Sequence, residues 1–505
     1  MALNKYRTPS LGIIFPIIFL LLSLPTIFGY DSDFAFYATS ANMLANGMDM
    51  YDQVYDHKPP LYHHTLIIGV YLNNLFNSKL LGFFIVHFLI LALFYFASLM
   101  LLKQTIISIG VQWSKHFDIF LFSFFTISLL AVPGLVYGNL NGGIVYLATT
   151  FELLAITKVI RLLNTNTFSK VGSKDFLILA IFTSAALLTR IHFAAFLAIC
   201  FFILLYSNDW MSMLKNLSKF IIFTCFLFLV GIFILIGDFS DFYSAIFGDN
   251  LVYTDEKTDK YLAVLYFAVK HNFYTILLVI ASVLVSILRL QSFRETLNIL
   301  VNLISKKSVV LLLIFATLAL FVIALTLPGP VLYRYYGLMP VVAIGSIILI
   351  IAFSSKKSLI FFSSSALAAT FFLYSISLRN VEFKLWESNK LVAILKTHAE
   401  KNEEFFTADF NSWLYLMTDT VPSIKSQSLM HLAYPTTSKK IDAFETALSS
   451  NPKFITFSSL PNGNASEVED FVIQNSEVFR KEYKFVRNFD TPYHSPITTR
   501  LWERK

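Results

Sequence analysis

Eleven apolar runs divide the chain, near 11–30, 80–102, 118–136, 143–159, 176–190, 193–207, 220–237, 273–290, 309–327, 337–353 and 359–378. Most approach the roughly 20 residues that an α-helix needs to cross a hydrocarbon core of about 30 Å, so each predicts a membrane span. Very short links join 176–190 to 193–207 and 309–327 to 337–353. From about Arg379 no further run is long enough to span. Short β-rich segments at Glu404–Ala408, Lys453–Ser458 and Lys484–Phe489 alternate there with helix-like stretches, which predicts a soluble α/β domain over 379–505. Residues 1–378 form the membrane part. Its first outer loop, 31–79, is too polar to span and too long for a simple connector. Apolar residues at helical spacing through Met43, Leu44 and Gly47 predict helices lying in the membrane interface.

Composition agrees with this pattern. Hydrophobic residues make up 56% of the chain and charged residues 14%, with 53 Phe, which excludes a single soluble globule. Two cysteines, Cys200 and Cys225, both in apolar runs, exclude a disulfide framework, a thiolate metal site and CxxC redox chemistry. The net charge of +7 would suit nucleic acid if it were spread evenly. Eleven spans from a cytoplasmic N-terminus instead put sixteen Lys and Arg in cytoplasmic segments and seven in outer loops, with eleven carboxylates in those outer loops. Basic residues stay on the cytoplasmic side of spans, so the charge reports topology and not a nucleic-acid partner. An odd span count places the C-terminal domain outside the cytoplasm. The expected location is the plasma or inner membrane, multi-pass, with the first span retained because Thr26-Ile27-Phe28 is not a small-x-small cleavage site.

Chemistry concentrates in the first outer loop. It opens Tyr30-Asp31-Ser32-Asp33-Phe34-Ala35-Phe36-Tyr37-Ala38 and later reads Tyr55-Asp56-His57-Lys58-Pro59-Pro60-Leu61-Tyr62. Carboxylates just past a span, with a lysine stiffened by two prolines some 25 residues on, place an acid/base group and a fixed cation at headgroup level. That pairing suits a reaction on a lipid phosphate, although acidic residues of this kind also solvate helix ends. Arg190 and Arg334 fall at outer turns in the same leaflet, where a guanidinium either grips phosphate oxygens or snorkels to lipid headgroups. Glu152 lies about 14 Å into the span that starts near 143, as a functional carboxylate or a hydrogen-bonded packing residue. The outer segment 238–272 alternates acids and aromatics, and Asn464-Ala465-Ser466 matches a glycosylation sequon that is short enough to occur by chance.

Taken together, Asp-x-x-x-Tyr-Ala after the first span, the turn Asn42-Met43-Leu44-Ala45-Asn46-Gly47 and Lys58-Pro59-Pro60-Leu61 resemble the first outer loop of the GT-C glycosyltransferases. The group resembled most is that of protein mannosyltransferases and aminoarabinose transferases, glycosyltransferase family 39. The stretch Phe405–Ser428, with Asn411-Ser412-Trp413-Leu414-Tyr415, and the C-terminal strand Thr499–Lys505 are similar to their soluble domains. The resemblance implies a GT-C fold and a transferase that takes a sugar from a polyprenyl-phosphate donor to a lipid, glycan or protein acceptor, with inversion. It implies Asp33 as the catalytic carboxylate, with Asp31 as runner-up. Lys58, Arg190, Arg334 and Tyr37 are implied to bind substrate. Relatives carry a metal-coordinating Glu where this chain has His57, so a divalent ion at Asp56 and His57 is an open alternative, and no other cofactor is implied. Relatives also often carry a carboxylate where Asn141 stands here. Two rival readings are weighed against this one. An O-antigen polymerase or ligase has its large outer loop late in the chain, whereas here it comes first. A transporter or flippase of lipid-linked sugars needs polar residues along several spans, and Glu152 is nearly alone mid-span.

Overall fold

The computed structural model describes residues 32–108, 143–164, 171–248 with three short breaks, 389–400 and most of 404–505. The apolar runs at 11–30, 118–136, 273–290, 309–327, 337–353 and 359–378 lie outside the described residues, as do Asp31 and Arg334. The chain divides into two compact units. One comprises 1–26, 88–231 and 256–380; the other brings together 27–87, 232–255 and 381–505.

In the first unit the described helices are most of α3 (Leu81–Ser108), α4 (Gly143–Asn164), α5 (Ser173–Thr189), α6 (Ala194–Tyr206) and most of α7 (Trp210–Ile236). Among the described residues, three helical stretches are long and apolar enough to cross a membrane: Leu81–Thr105, Gly143–Leu163 and Trp210–Ile236. They coincide with three of the runs read from sequence. α4 is buried on most sides and packs on α5 and α6. α7 instead exposes Ile222, Phe226, Leu229 and Phe233, an apolar surface that only lipid would cover at no cost. α5 and α7 are tied by the Ser184 hydroxyl, which donates to the Thr224 carbonyl at 2.9 Å. They also meet at Gly231, where an added Cβ would lie 2.3 Å from Leu188.

The second unit begins with α1 (Ser32–Ala45), followed by a compact turn and α2 (Leu61–Phe76), and it also holds the short α8 (Phe239–Tyr243). Gly47, at φ +85°, closes α1. Its N–H bonds the Leu44 carbonyl and that of Met48 bonds the Met43 carbonyl, a left-handed cap that glycine adopts without a Cβ penalty. α2 then turns sharply into α3. The Asn73 side chain accepts from the Gly82 N–H at 2.6 Å and donates to the Lys79 carbonyl at 2.8 Å, stapling the corner.

The C-terminal part of this unit carries a four-stranded sheet in the order β1-β2-β4-β3, made of β1 (Phe405–Thr407), β2 (Phe454–Ser458), β3 (Tyr483–Asp490) and β4 (Thr498–Arg504). The three β-rich segments and the C-terminal strand read from sequence are all present. β1 and β2 run parallel, whereas β2/β4 and β4/β3 are antiparallel. Parallel neighbours need a crossover. Within it lie α10 (Ser412–Thr418) and α11 (Thr437–Ser449), while α9 (Lys390–Ala399) precedes β1. Phe406, Phe444, Ile455, Phe457, Phe479 and Tyr483 form the core, completed by α12 (Glu467–Asn475) and α13 (Glu477–Glu482). Ser466 of the sequon is used locally, its hydroxyl capping α12 by accepting from the Glu469 N–H at 3.3 Å.

α1 differs from the expected interfacial helix. Phe34 to Ala41 are buried without a break, so the helix has no face left for lipid or water. The covering surfaces are α2 on one side and α10 on the other. Residues some 370 positions away therefore supply what the sequence pattern assigned to the membrane interface.

Candidate active site in the first outer loop

Asp33 is the second residue of α1, in its first turn. A carboxylate suits that place because first-turn N–H groups have no intrahelical acceptor and carry partial positive charge. One turn further on, Tyr37 is buried, with its ring edge-to-face against Tyr62 and His63 of α2, both at 5.2 Å between centroids. Its hydroxyl accepts from the Lys58 ammonium, which also stands 4.7 Å from the centre of the Tyr37 ring. Two of the residues implied to bind substrate, 21 positions apart, are thus in direct contact.

The backbone around Lys58 is fixed as well. Tyr51 adopts a left-handed φ of 71°, and its N–H bonds the Val54 carbonyl at 2.7 Å. Its hydroxyl then donates to the Lys58 carbonyl at 2.7 Å. Pro59 and Pro60 follow, both buried, and lead directly into α2. The cation is therefore held at its backbone by Tyr51 and by the two prolines that follow it, and at its head by Tyr37.

Asp56, two residues before Lys58, is fully buried. Its carboxylate lies 3.0 Å from His63 Nε2 and 3.2 Å from His57 Nδ1. Burial pushes such a carboxyl up. The Lys58 charge and hydrogen bonds from His57 and His63 outweigh that and hold it well below the usual carboxylate range. Asp56 is therefore ionised wherever the protein is folded near neutrality, and it links the loop to α2 through His63. Asp56→Ala should leave the buried His63 imidazole without its acceptor, at a cost of about 1–3 kcal/mol. Since the folded carboxyl is depressed, the stabilisation is present above the ordinary value of 3.8 and fades as pH falls through the folded value. Denaturation in detergent should show a wild-type advantage that is constant between about pH 5 and 8 and closes below about pH 4. An advantage that grew on acidification would contradict this assignment.

A metal at Asp56 and His57 fits this geometry poorly. Both Asp56 oxygens already face imidazole nitrogens, and among the described residues no group of three or more His, Cys, Asp or Glu side chains is placed to hold an ion.

Arg190, in the other compact unit, sits just past the end of α5 with extended backbone, its N–H bonded to the Ala186 carbonyl at 2.8 Å. Its charge acts on Glu152, which is buried ten residues into α4. Within that unit, the outer-turn arginine and the mid-span carboxylate that the sequence singled out separately belong to one electrostatic neighbourhood. The structure brings Lys58 and Tyr37 together and adds Asp56, His57 and His63. Asp33 is placed by its backbone at the head of the same helix as Tyr37. Sequence reading did not single out Tyr51 or Tyr62 for the site. The one available signal was the density of Tyr and His between 51 and 64.

No protein-family profile and no curated protein matches the chain. Solved structures do. ArnT from Cupriavidus metallidurans bound to undecaprenyl phosphate is 10% identical, with 98% of each chain covered and a TM-score of 0.60. The archaeal oligosaccharyltransferase AglB from Archaeoglobus fulgidus, in complex with an inhibitory peptide and a dolichol-phosphate, is 11% identical, covering 96% of this chain and 80% of that one at a TM-score of 0.52. The Archaeoglobus fulgidus oligosaccharyltransferase complex with Zn and sulfate matches at 12% identity, over 94% of this chain and 79% of that one, with a TM-score of 0.50. At such identities the likeness establishes the fold. It is the fold of the aminoarabinose transferase and the oligosaccharyltransferase, both GT-C proteins.

Proposed function

We propose that this chain, having the GT-C fold, is a membrane glycosyltransferase that takes a sugar from a polyprenyl-phosphate donor and passes it to a lipid, glycan or protein acceptor outside the cytoplasm. The observation that carries the reading is Lys58. Its ammonium is pinned by Tyr37 on the helix whose second residue is Asp33, in a chain whose fold matches an undecaprenyl-phosphate-bound ArnT over 98% of its length. A fixed cation and a helix-borne carboxylate in one outer loop are what transfer from a lipid phosphate requires. In the proposed step, the acceptor oxygen bonds to the anomeric carbon from the face opposite the phosphate, inverting the configuration. The bond from that carbon to the phosphate oxygen breaks, and its electron pair stays on the phosphate. Asp33 takes the acceptor proton, and Lys58 offsets the charge that grows on the leaving phosphate.

The donor type finds support in what ArnT and AglB were crystallised with, undecaprenyl phosphate and a dolichol-phosphate. The side of the membrane rests on the sixteen-to-seven distribution of basic residues and on the clustering of the first loop with the C-terminal sheet in one compact unit. A divalent ion is not written into the step; the Archaeoglobus fulgidus oligosaccharyltransferase was solved with Zn, and in this chain Asp56 and His57 would be the residues to hold one.

One experiment tests chemistry and sidedness together. Right-side-out membrane vesicles containing the protein should release free polyprenyl phosphate and label an added envelope extract when given a radiolabelled polyprenyl-phosphate sugar from outside. Inside-out vesicles should not. Transfer only by inside-out vesicles would reverse the topology. Movement of intact donor across the bilayer with no sugar released would favour the flippase reading instead.

A further inference from the structure

Within the second unit, the C-terminal part touches α1 through buried polar contacts. The Gln427 side chain is fully buried, and its amide donates to the Ser40 hydroxyl at 2.7 Å and to the Phe36 carbonyl at 3.2 Å. The Ser40 hydroxyl in turn donates to the same Phe36 carbonyl at 2.9 Å. On a neighbouring part of the helix, the Thr39 hydroxyl donates to the Ser412 carbonyl at 3.2 Å. Apolar contacts complete the grip. The Phe34 ring, next to Asp33, sits between Trp413 at 6.0 Å and Phe83 at 6.1 Å. Beyond α10, Asp419 pairs with Lys79 at the corner between α2 and α3.

Two features make this more than ordinary packing. Gln427 has a φ of +58°, and Asp419, which caps α10, has a φ of +57°. A glutamine held buried in the left-handed region is costly and persists only where its surroundings over-determine it. In addition, the Gln427 amide reads main chain and a short hydroxyl, so it fixes the rotation and height of α1 and not merely its proximity. A helix gripped only by apolar side chains can slide or rotate by a fraction of a turn. One tied through Phe36, Thr39 and Ser40 cannot.

We propose that residues 411–424 together with Gln427 form a clasp that sets the position of the catalytic carboxylate, with Gln427 and Trp413 as positioning residues for Asp33, an assignment that rests on the role proposed for Asp33. The C-terminal domain is then part of the catalytic apparatus through α1, without contributing a group that touches substrate. Misplacement of a reacting group by about 1 Å can cost on the order of 10² in rate, which sets the size of effect to look for.

The test uses the full chain in lipid nanodiscs and two variants. Gln427→Met keeps length and removes both donors; Ser40→Ala removes one of the two acceptors and is the milder change should the first not fold. Amide hydrogen exchange is measured over residues 34–43, alongside kcat and KM for a polyprenyl-phosphate sugar. Exchange in α1 should quicken about tenfold or more in Gln427→Met and less in Ser40→Ala. kcat should fall by about 10²-fold and roughly tenfold respectively, with the donor KM within about twofold of wild type. A purely structural role would lower stability without this split. Unchanged exchange in both variants overturns the clasp. Quicker exchange with kcat unaltered, or a loss carried by KM alone, overturns its role in positioning. A wild type that transfers no sugar removes the enzyme reading itself, while the exchange data still decide whether residues 411–424 and Gln427 hold α1.

Discussion

Asp33→Asn should abolish sugar transfer while leaving the protein folded. The substitution keeps the size of the side chain and its capacity to accept hydrogen bonds, so the first turn of α1 retains its shape. What it removes is the base. Loss of a positioned general base costs about 10²–10⁴ in rate, and a site that also uses the charge to orient the acceptor hydroxyl loses more. Asp31→Asn is the internal comparison, because Asp33 alone precedes Tyr37-Ala38 at the interval that the resemblance to GT-C enzymes implies. Steady-state turnover of both variants, with exchange over α1 as a folding control, checks the assignment. If Asp31→Asn is inactive and Asp33→Asn active, the register is displaced by two residues and the reaction class stands. If both transfer sugar at the wild-type rate, the first loop is not the catalytic centre and a transporter or an inactive relative becomes the better reading.

Long-range pairing marks the limit of what could be read in advance. Periodicity and run length located α3, α4 and α7 because a span is a local property: twenty apolar residues suffice whatever lies elsewhere. Even so, α7 starts at Trp210, ten residues before the apolar run at 220, since Lys215 and Lys219 are good helix formers that continue it without being apolar. The strands were legible for the same local reason. α1 was legible as a helix but not as a buried one, because its outer face is covered by α10 and Gln427 from the far end of the chain. The contact of Lys58 with Tyr37 is similarly invisible in spacing, arising where a loop and a helix meet. Nor does any sequence pattern announce a left-handed glutamine. Asp31 and Arg334, and with them part of the expected phosphate-binding set, lie outside the described residues.

Lys58→Ala should lower turnover by about 10²–10³, the range seen when one preorganised charge-stabilising donor is removed from a site of this kind. The argument starts from how the lysine is held. A free lysine samples many rotamers, and ordering it on substrate binding would consume part of the interaction. Here Tyr51 fixes the Lys58 carbonyl, two prolines follow, and Tyr37 engages the ammonium, so the cation is in place before the donor arrives. Preorganised charge acts most strongly where charge develops, so the loss should appear chiefly in kcat once the phosphate begins to leave, with a smaller rise in donor KM. Lys58→Arg should not restore activity, because a planar guanidinium cannot occupy the compact position of the ammonium against the Tyr37 hydroxyl. Tyr37→Phe separates the two contacts: it keeps the ring under the cation and removes the hydroxyl, and its loss should be smaller, on the order of tenfold, as for one hydrogen bond to a charged group. Steady-state kinetics of the three variants with one polyprenyl-phosphate sugar would decide. Wild-type kcat and KM in Lys58→Ala would remove the lysine from the donor site, and activity fully kept in Lys58→Arg would mean that positive charge alone, without the Tyr37 geometry, is what the phosphate needs.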